Sequence, residues 1–191
     1  MRHAGRRPGA TETRDTILTA ARRLFAEKGY DSTTIRGIAA EAGVNPALVH
    51  HFFGTKQDIF IAAVDFPFEP AEVARRIVDG PRDEVGQRIV RVFLAIWGDP
   101  TTQASLLAQI RSITTNQQAA AMFRQFMDAA VLRRLTIALC VPKERLTAAI
   151  AQMVGLALLR YVVRSEPLAS ASDEEIVRLV APVIQQYIDG P

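Results

Sequence analysis

Apolar residues recur every three or four positions along nearly the whole chain, and no stretch alternates as a half-buried strand would, so the pattern predicts an all-α protein. Ile17, Leu18, Ala21, Leu24 and Phe25 form the stripe of a first helix, from about Thr13 to Lys28, which Gly29 ends. Ile35, Ile38, Ala39 and Ala42 give a short second helix a narrow apolar face, and Gly43 stands where a helix C-terminus favours a left-handed residue. Asn45-Pro46 reads as the N-cap and first position of a third helix, about two turns long. A fourth begins at Thr55, with Asp58 three residues on, a capping box using Asp where Glu is usual. Phe66-Pro67-Phe68-Glu69-Pro70 then breaks the pattern. Further breakers leave helices at about 71–79, 82–97, 101–113, 117–139, 143–164 and 173–188, the last opened by a Ser172–Glu175 capping box. The resulting organisation is a disordered basic arm over 1–10, a helix-turn-helix domain over 11–65, and a second helical domain over 66–191.

The segment from Thr33 to Lys56 carries the most chemistry. Two short helices around a tight glycine turn leave the second one proud enough to enter the major groove of DNA. Charge supports this: residues 1–64 hold nine Lys/Arg against six Asp/Glu, whereas 65–191 hold fourteen of each, so the whole net charge of +3 lies with the helix-turn-helix. A neutral C-terminal half argues against an architectural DNA binder, which needs a broader basic surface.

Other function classes lose ground on inventory. Cys140 is the single cysteine, which excludes an intrachain disulfide framework and a cysteine-rich zinc site. The three histidines stand at 3, 50 and 51; His50 and His51, adjacent on a helix, point about 100° apart and have no third ligand nearby, so no metal is expected. With no nucleophile–base set and no glycine-rich phosphate loop, neither enzymatic activity nor a cofactor is expected. Polar residues follow Arg2, Arg6 and Arg7 where a signal peptide needs an apolar run, and the most apolar stretch, Leu146 to Leu159, falls short of the roughly 20 residues that span a bilayer. A cytoplasmic protein without a membrane partner is expected.

The motifs TRDTILTAARRLFAEKGY, TTIRGIAAEAGV and the block ending HFFGTKQDIF, at this spacing, resemble the TetR family of bacterial transcriptional regulators over about residues 11–64. The C-terminal order of helices and the run GLALLRYVVRSEPLA resemble a ligand-binding and dimerisation domain common in that family. The resemblance implies a repressor that binds a palindromic operator in double-stranded DNA as a homodimer and is released by a small molecule. One departure concerns His50, where family members usually carry tyrosine; the contact made there is expected to differ.

Candidate DNA-binding residues follow. Thr33 and Thr34 cap the second helix, and the matching position of Thr34 implies a phosphate at that positive helix end. Arg36, one turn in, suits a phosphate or a base edge. Asn45, Pro46 and Ala47 open the recognition helix, where base edges are met and Ala47 can touch a thymine methyl. His50 and His51 follow, while Leu48, Val49 and Phe53 are assigned to packing. Lys56 opposes the dipole of the fourth helix, a placement that a phosphate shared with the helix end would explain. In the C-terminal domain, Phe93, Trp97, Ile110, Met122, Phe123 and Phe126 form a candidate ligand pocket. Ile150, Met153, Val154, Leu158, Leu179, Val183 and Tyr187 form a candidate face of a two-fold interface.

Overall fold

The computed structural model describes residues 8–190, with side chains from residue 11 onward, and these residues are all-α as the periodicity predicts. The helices are α1 (Pro8–Ser32), α2 (Ile35–Ala42), α3 (Pro46–Phe53), α4 (Lys56–Val64), α5 (Pro70–Val78), α6 (Val85–Gly98), α7 (Pro100–Thr115), α8 (Gln117–Phe126), α9 (Arg133–Leu139), α10 (Lys143–Ala157) and α11 (Asp173–Asp189). The expected arm over 1–10 is shortened, because 8–10 already belong to α1; its remainder lies outside the described residues.

Local capping sets most boundaries. Gly29 (φ 78, ψ 170) breaks the helical dihedrals near the end of α1, and Gly43 (φ 67, ψ 29) ends α2 in the left-handed region. Thr55 with Asp58 and Ser172 with Glu175 both form reciprocal capping boxes, as read from the sequence. In the second of these, the Ser172 hydroxyl and backbone N–H hold the Glu175 carboxyl below its ordinary value of 4.5. Two segments depart from the α pattern. Met127–Leu132 joins α8 to α9 as a π-helix, and Leu158–Val162 prolongs α10 in the same way. Lys143–Val162 is therefore one helix of 20 residues, long and apolar enough to cross a membrane by length and composition, contrary to the shorter stretch read from sequence.

The fold divides into two compact units. The first runs to Phe66 and also includes Ser112–Phe126; the second comprises Pro67–Arg111 and the chain from Met127 onward. In the first, Ile17, Ala21, Phe25, Ile38, Val49, Ile59 and Phe60 are essentially without solvent exposure. Phe25 and Phe60 meet edge-on at 4.8 Å, with Tyr30 beside both. The α8 helix packs on α1 and α4 of this unit, with Phe126 stacked on Phe66 at 4.4 Å.

In the second unit α6 and α11 form the closest helix pair. Val90, Leu94, Met153, Ile176, Val180 and Ile184 make one cluster; Ile77, Val85, Leu135, Leu139, Leu146 and Ile188 make another. The close approach depends on Gly86, where a Cβ would stand 2.5 Å from the Ala181 carbonyl oxygen and 2.7 Å from the Gln185 nitrogen. The Gly86 N–H donates to the Gln185 side chain at 2.6 Å. Gly86→Ala must push α6 and α11 apart, and is expected to lower the unfolding free energy by about 1–3 kcal/mol in urea titration.

Candidate nucleic-acid interface

The interface is built on the corner between α1 and α2. Thr33 is 2% exposed, and its hydroxyl donates to the carbonyls of Gly29 at 2.7 Å and Leu24 at 3.2 Å. Its side chain is therefore part of the corner and leaves the set of candidate DNA contacts. The neighbouring Thr34 is exposed and is the true cap of α2, its hydroxyl accepting from the Gly37 N–H at 3.0 Å. Sequence reasoning gave both threonines one role because adjacent β-branched cap formers look alike. Burial separates them. Arg36 is exposed one turn further on.

Lys56 also serves this corner. Its ammonium donates to the Asp31 carbonyl at 3.2 Å and stands 4.4 Å over the Tyr30 ring. The side chain explained from sequence by a phosphate alone thus has an internal reason to be basic. It ties the start of α4 to the end of α1.

After Gly43, the Asn45 side chain accepts from the Ala47 N–H at 2.8 Å and Pro46 opens α3. Val49 and Phe53 point into the unit, so the outer face of α3 is set by the 100° advance per residue. His51 lies near the middle of that face, flanked by Ala47 and Leu48. Leu48 is 40% exposed, which corrects its assignment to packing and adds an apolar group able to meet thymine methyls.

His50 is turned to the edge, where its Nδ1 lies 2.8 Å from the Gly54 carbonyl oxygen. That oxygen can only accept, so Nδ1 carries the hydrogen and Nε2 is an acceptor in the neutral ring. In that state Nε2 suits the amino group of adenine or cytosine, and a phosphate contact requires the imidazolium. The opposite flank is acidic. A groove of about 630 Å³ between α1 and α2 is lined by Glu12, Asp15 and Glu41, with Arg23 paired to Glu41. Phosphate would be repelled there. Arg14, whose guanidinium stands 5.1 Å over the Phe53 ring, is a basic group near α3 that the sequence pattern did not mark.

The other candidate sets are only partly gathered. In the first unit the buried Phe126 and the half-buried Phe123 both stack on Phe66, and Met122 belongs to the same unit. In the second unit Trp97 stacks on Tyr161 at 5.2 Å and lies 6.0 Å from Phe93, and Ile110 is half-buried. Of the interface candidates, Met153 is 5% exposed within the first cluster of that unit, so it faces the subunit's own core. Tyr187 and Ile150 are half-buried against the two clusters. Val154, Leu158, Leu179 and Val183 are exposed, joined by Val162 of the same apolar stripe and by Leu159, which the sequence reading passed over. Among the described residues no three His, Cys, Asp or Glu side chains come together as a metal site would require.

Comparison with known proteins follows this geometry. A family profile described as "Bacterial regulatory proteins, tetR family" matches residues 17–63, and one described as "Tetracyclin repressor-like, C-terminal domain" matches residues 83–188. The regulator BetI of Agrobacterium fabrum is 26% identical over 173 residues, covering 86% of this chain and 84% of that protein. The repressor AcnR of Corynebacterium glutamicum is 41% identical over 59 residues, which cover 31% of this chain and only 30% of that protein. A crystal structure of a TetR-family regulator from Streptomyces coelicolor is 35% identical, covering 97% of this chain and 99% of the other, with a TM-score of 0.47.

Two substitutions separate scaffold from surface. Thr33→Val removes the one hydroxyl donor that the Gly29 and Leu24 carbonyls share and is expected to lower stability by about 1–2 kcal/mol. His51→Ala is expected to leave the calorimetric melting temperature unchanged while weakening DNA binding.

Proposed function

The chain belongs to the TetR family of bacterial transcriptional regulators, which bind DNA, and from that membership we propose that it is a ligand-responsive repressor acting as a homodimer on a palindromic operator. The observation that carries this reading is the α2–α3 face, where Thr34, Arg36, Ala47, Leu48 and His51 stand exposed beside a buried Thr33. Thr34 and the α2 N-terminus engage a phosphate, Arg36 a phosphate or guanine edge, and α3 the major groove. Asn45 and Pro46 set the start of that helix, and His50 meets an adjacent base amino group. Lys56 contributes a phosphate contact with the donors left beyond Asp31.

A two-turn helix buries little DNA surface by itself, so pairing is the natural source of affinity. Val154, Leu158, Leu159 and Val162 on one helix, with Leu179 and Val183 on α11, leave an apolar surface that a second copy would cover. Two heads then meet half-sites about 34–36 Å apart on one face of B-DNA. The ligand is assigned to the second unit, where Phe93, Trp97 and Tyr161 present stacked aromatic surface, with Ile110 beside them in sequence order. Its name as a repressor follows the relative AcnR, and hundredfold release requires a ligand preference of about 2.7 kcal/mol for the DNA-free form.

Leu179→Asp is expected to convert a dimer to a monomer in sedimentation at micromolar concentration, with loss of binding to a duplex selected by the wild-type protein. A wild-type monomer that binds such a duplex tightly would overturn the dimeric reading. Arg36→Ala is expected to reduce the slope of log affinity against log salt by about one.

A further inference from the structure

Gln125 lies on α8, 95 residues beyond the corner it touches, yet its side-chain oxygen accepts the Tyr30 N–H at 2.7 Å. Its amide nitrogen stands 3.2 Å from the place a Cβ on Gly29 would occupy. One glutamine thus covers both residues of the break in α1, where the φ of +78° favours glycine at position 29. From there the chain of contacts is short. The Tyr30 carbonyl accepts the Thr33 N–H at 3.3 Å, the Thr33 hydroxyl returns to the Gly29 carbonyl at 2.7 Å, and Thr34 caps α2. Next to Gln125, Phe126 is fully buried and stacked on Phe66, which fixes α8 against the same unit. Beyond Phe126 the helix changes to the π-helical segment.

We propose that Gln125 is a positioning residue for DNA binding: by holding the Tyr30 N–H it sets the angle at which α2 presents Thr34 and Arg36. A displacement of α8 then reaches the reading face through this hydrogen bond, four residues from Thr34, as well as through the packing of α8 on α1 and α4. This deepens the DNA-binding reading above and rests on it for its consequence, while the positioning itself is a property of the free protein. It also assigns a signalling role to α8.

The test uses the full-length protein with Gln125→Met, which keeps the length and removes the acceptor, and Gln125→Glu, which keeps an oxygen at the same place. Amide hydrogen exchange of the free protein is the first readout. Gln125→Met is expected to raise exchange at Tyr30 and Thr33 about tenfold, the worth of one ordinary hydrogen bond, while helices α9 to α11 keep their protection. Gln125→Glu is expected to stay within about twofold of wild type. The second readout is affinity for a duplex that the wild-type protein selects from a random-sequence pool. Gln125→Met is expected to bind it about tenfold more weakly with an unchanged melting temperature, and Gln125→Glu to restore binding. Unchanged exchange at Tyr30 in Gln125→Met, or equal behaviour of the Met and Glu variants, would overturn the proposal. If the wild-type protein selects no duplex, the DNA-binding reading fails, and exchange at Tyr30 still decides the role of Gln125.

Discussion

The break at Gly29 is the constraint on which the reading head depends. A left-handed φ of 78° with an extended ψ turns the chain out of α1 and directs the next residues under the aromatic core. Two distant parts of the chain and one neighbouring residue then converge on the turn. Phe60 and Lys56 of α4 pack and hydrogen-bond around Tyr30 and Asp31, Thr33 returns to Gly29 and Leu24, and Gln125 of α8 accepts from Tyr30. Each contact is ordinary in strength. Together they over-determine one geometry, which is what a DNA-reading element needs, because an error at the start of α2 is carried along its length to α3.

Features fixed by a few neighbouring residues were legible in the sequence. Gly43 ends a helix, and Asn45-Pro46, Thr55 with Asp58 and Ser172 with Glu175 each start one, as their local chemistry requires. Features fixed by packing across the sequence were not. The period of apolar residues placed one helix over 117–139 but could not show the π-helical insertion, because one extra residue in a turn leaves the stripe nearly intact. Nor could it show that residues up to Phe126 belong with the head, since an apolar face names no partner. The same blindness explains Met153, Leu48 and Thr33. Their residue types fit surface or core equally, and only the neighbours decide.

Chemistry on the reading face is correspondingly uneven. Thr34 and Arg36 follow the expectations of a helix N-terminus and need nothing unusual. His50 is more constrained than its exposure suggests, since the Gly54 carbonyl fixes the hydrogen on Nδ1 and leaves Nε2 to act as an acceptor. His51 and Leu48 stand exposed on the middle of α3.

The central claim is that a rigid corner presents one α2–α3 face to the major groove, twice per dimer. Hydroxyl-radical footprinting of a duplex selected by the wild-type protein tests it most directly. The account predicts two protected half-sites on the same face of the duplex, about 34–36 Å apart between centres, with protection of both lost together in Leu179→Asp. A single protected half-site, or uniform protection without a repeating spacing, would contradict it.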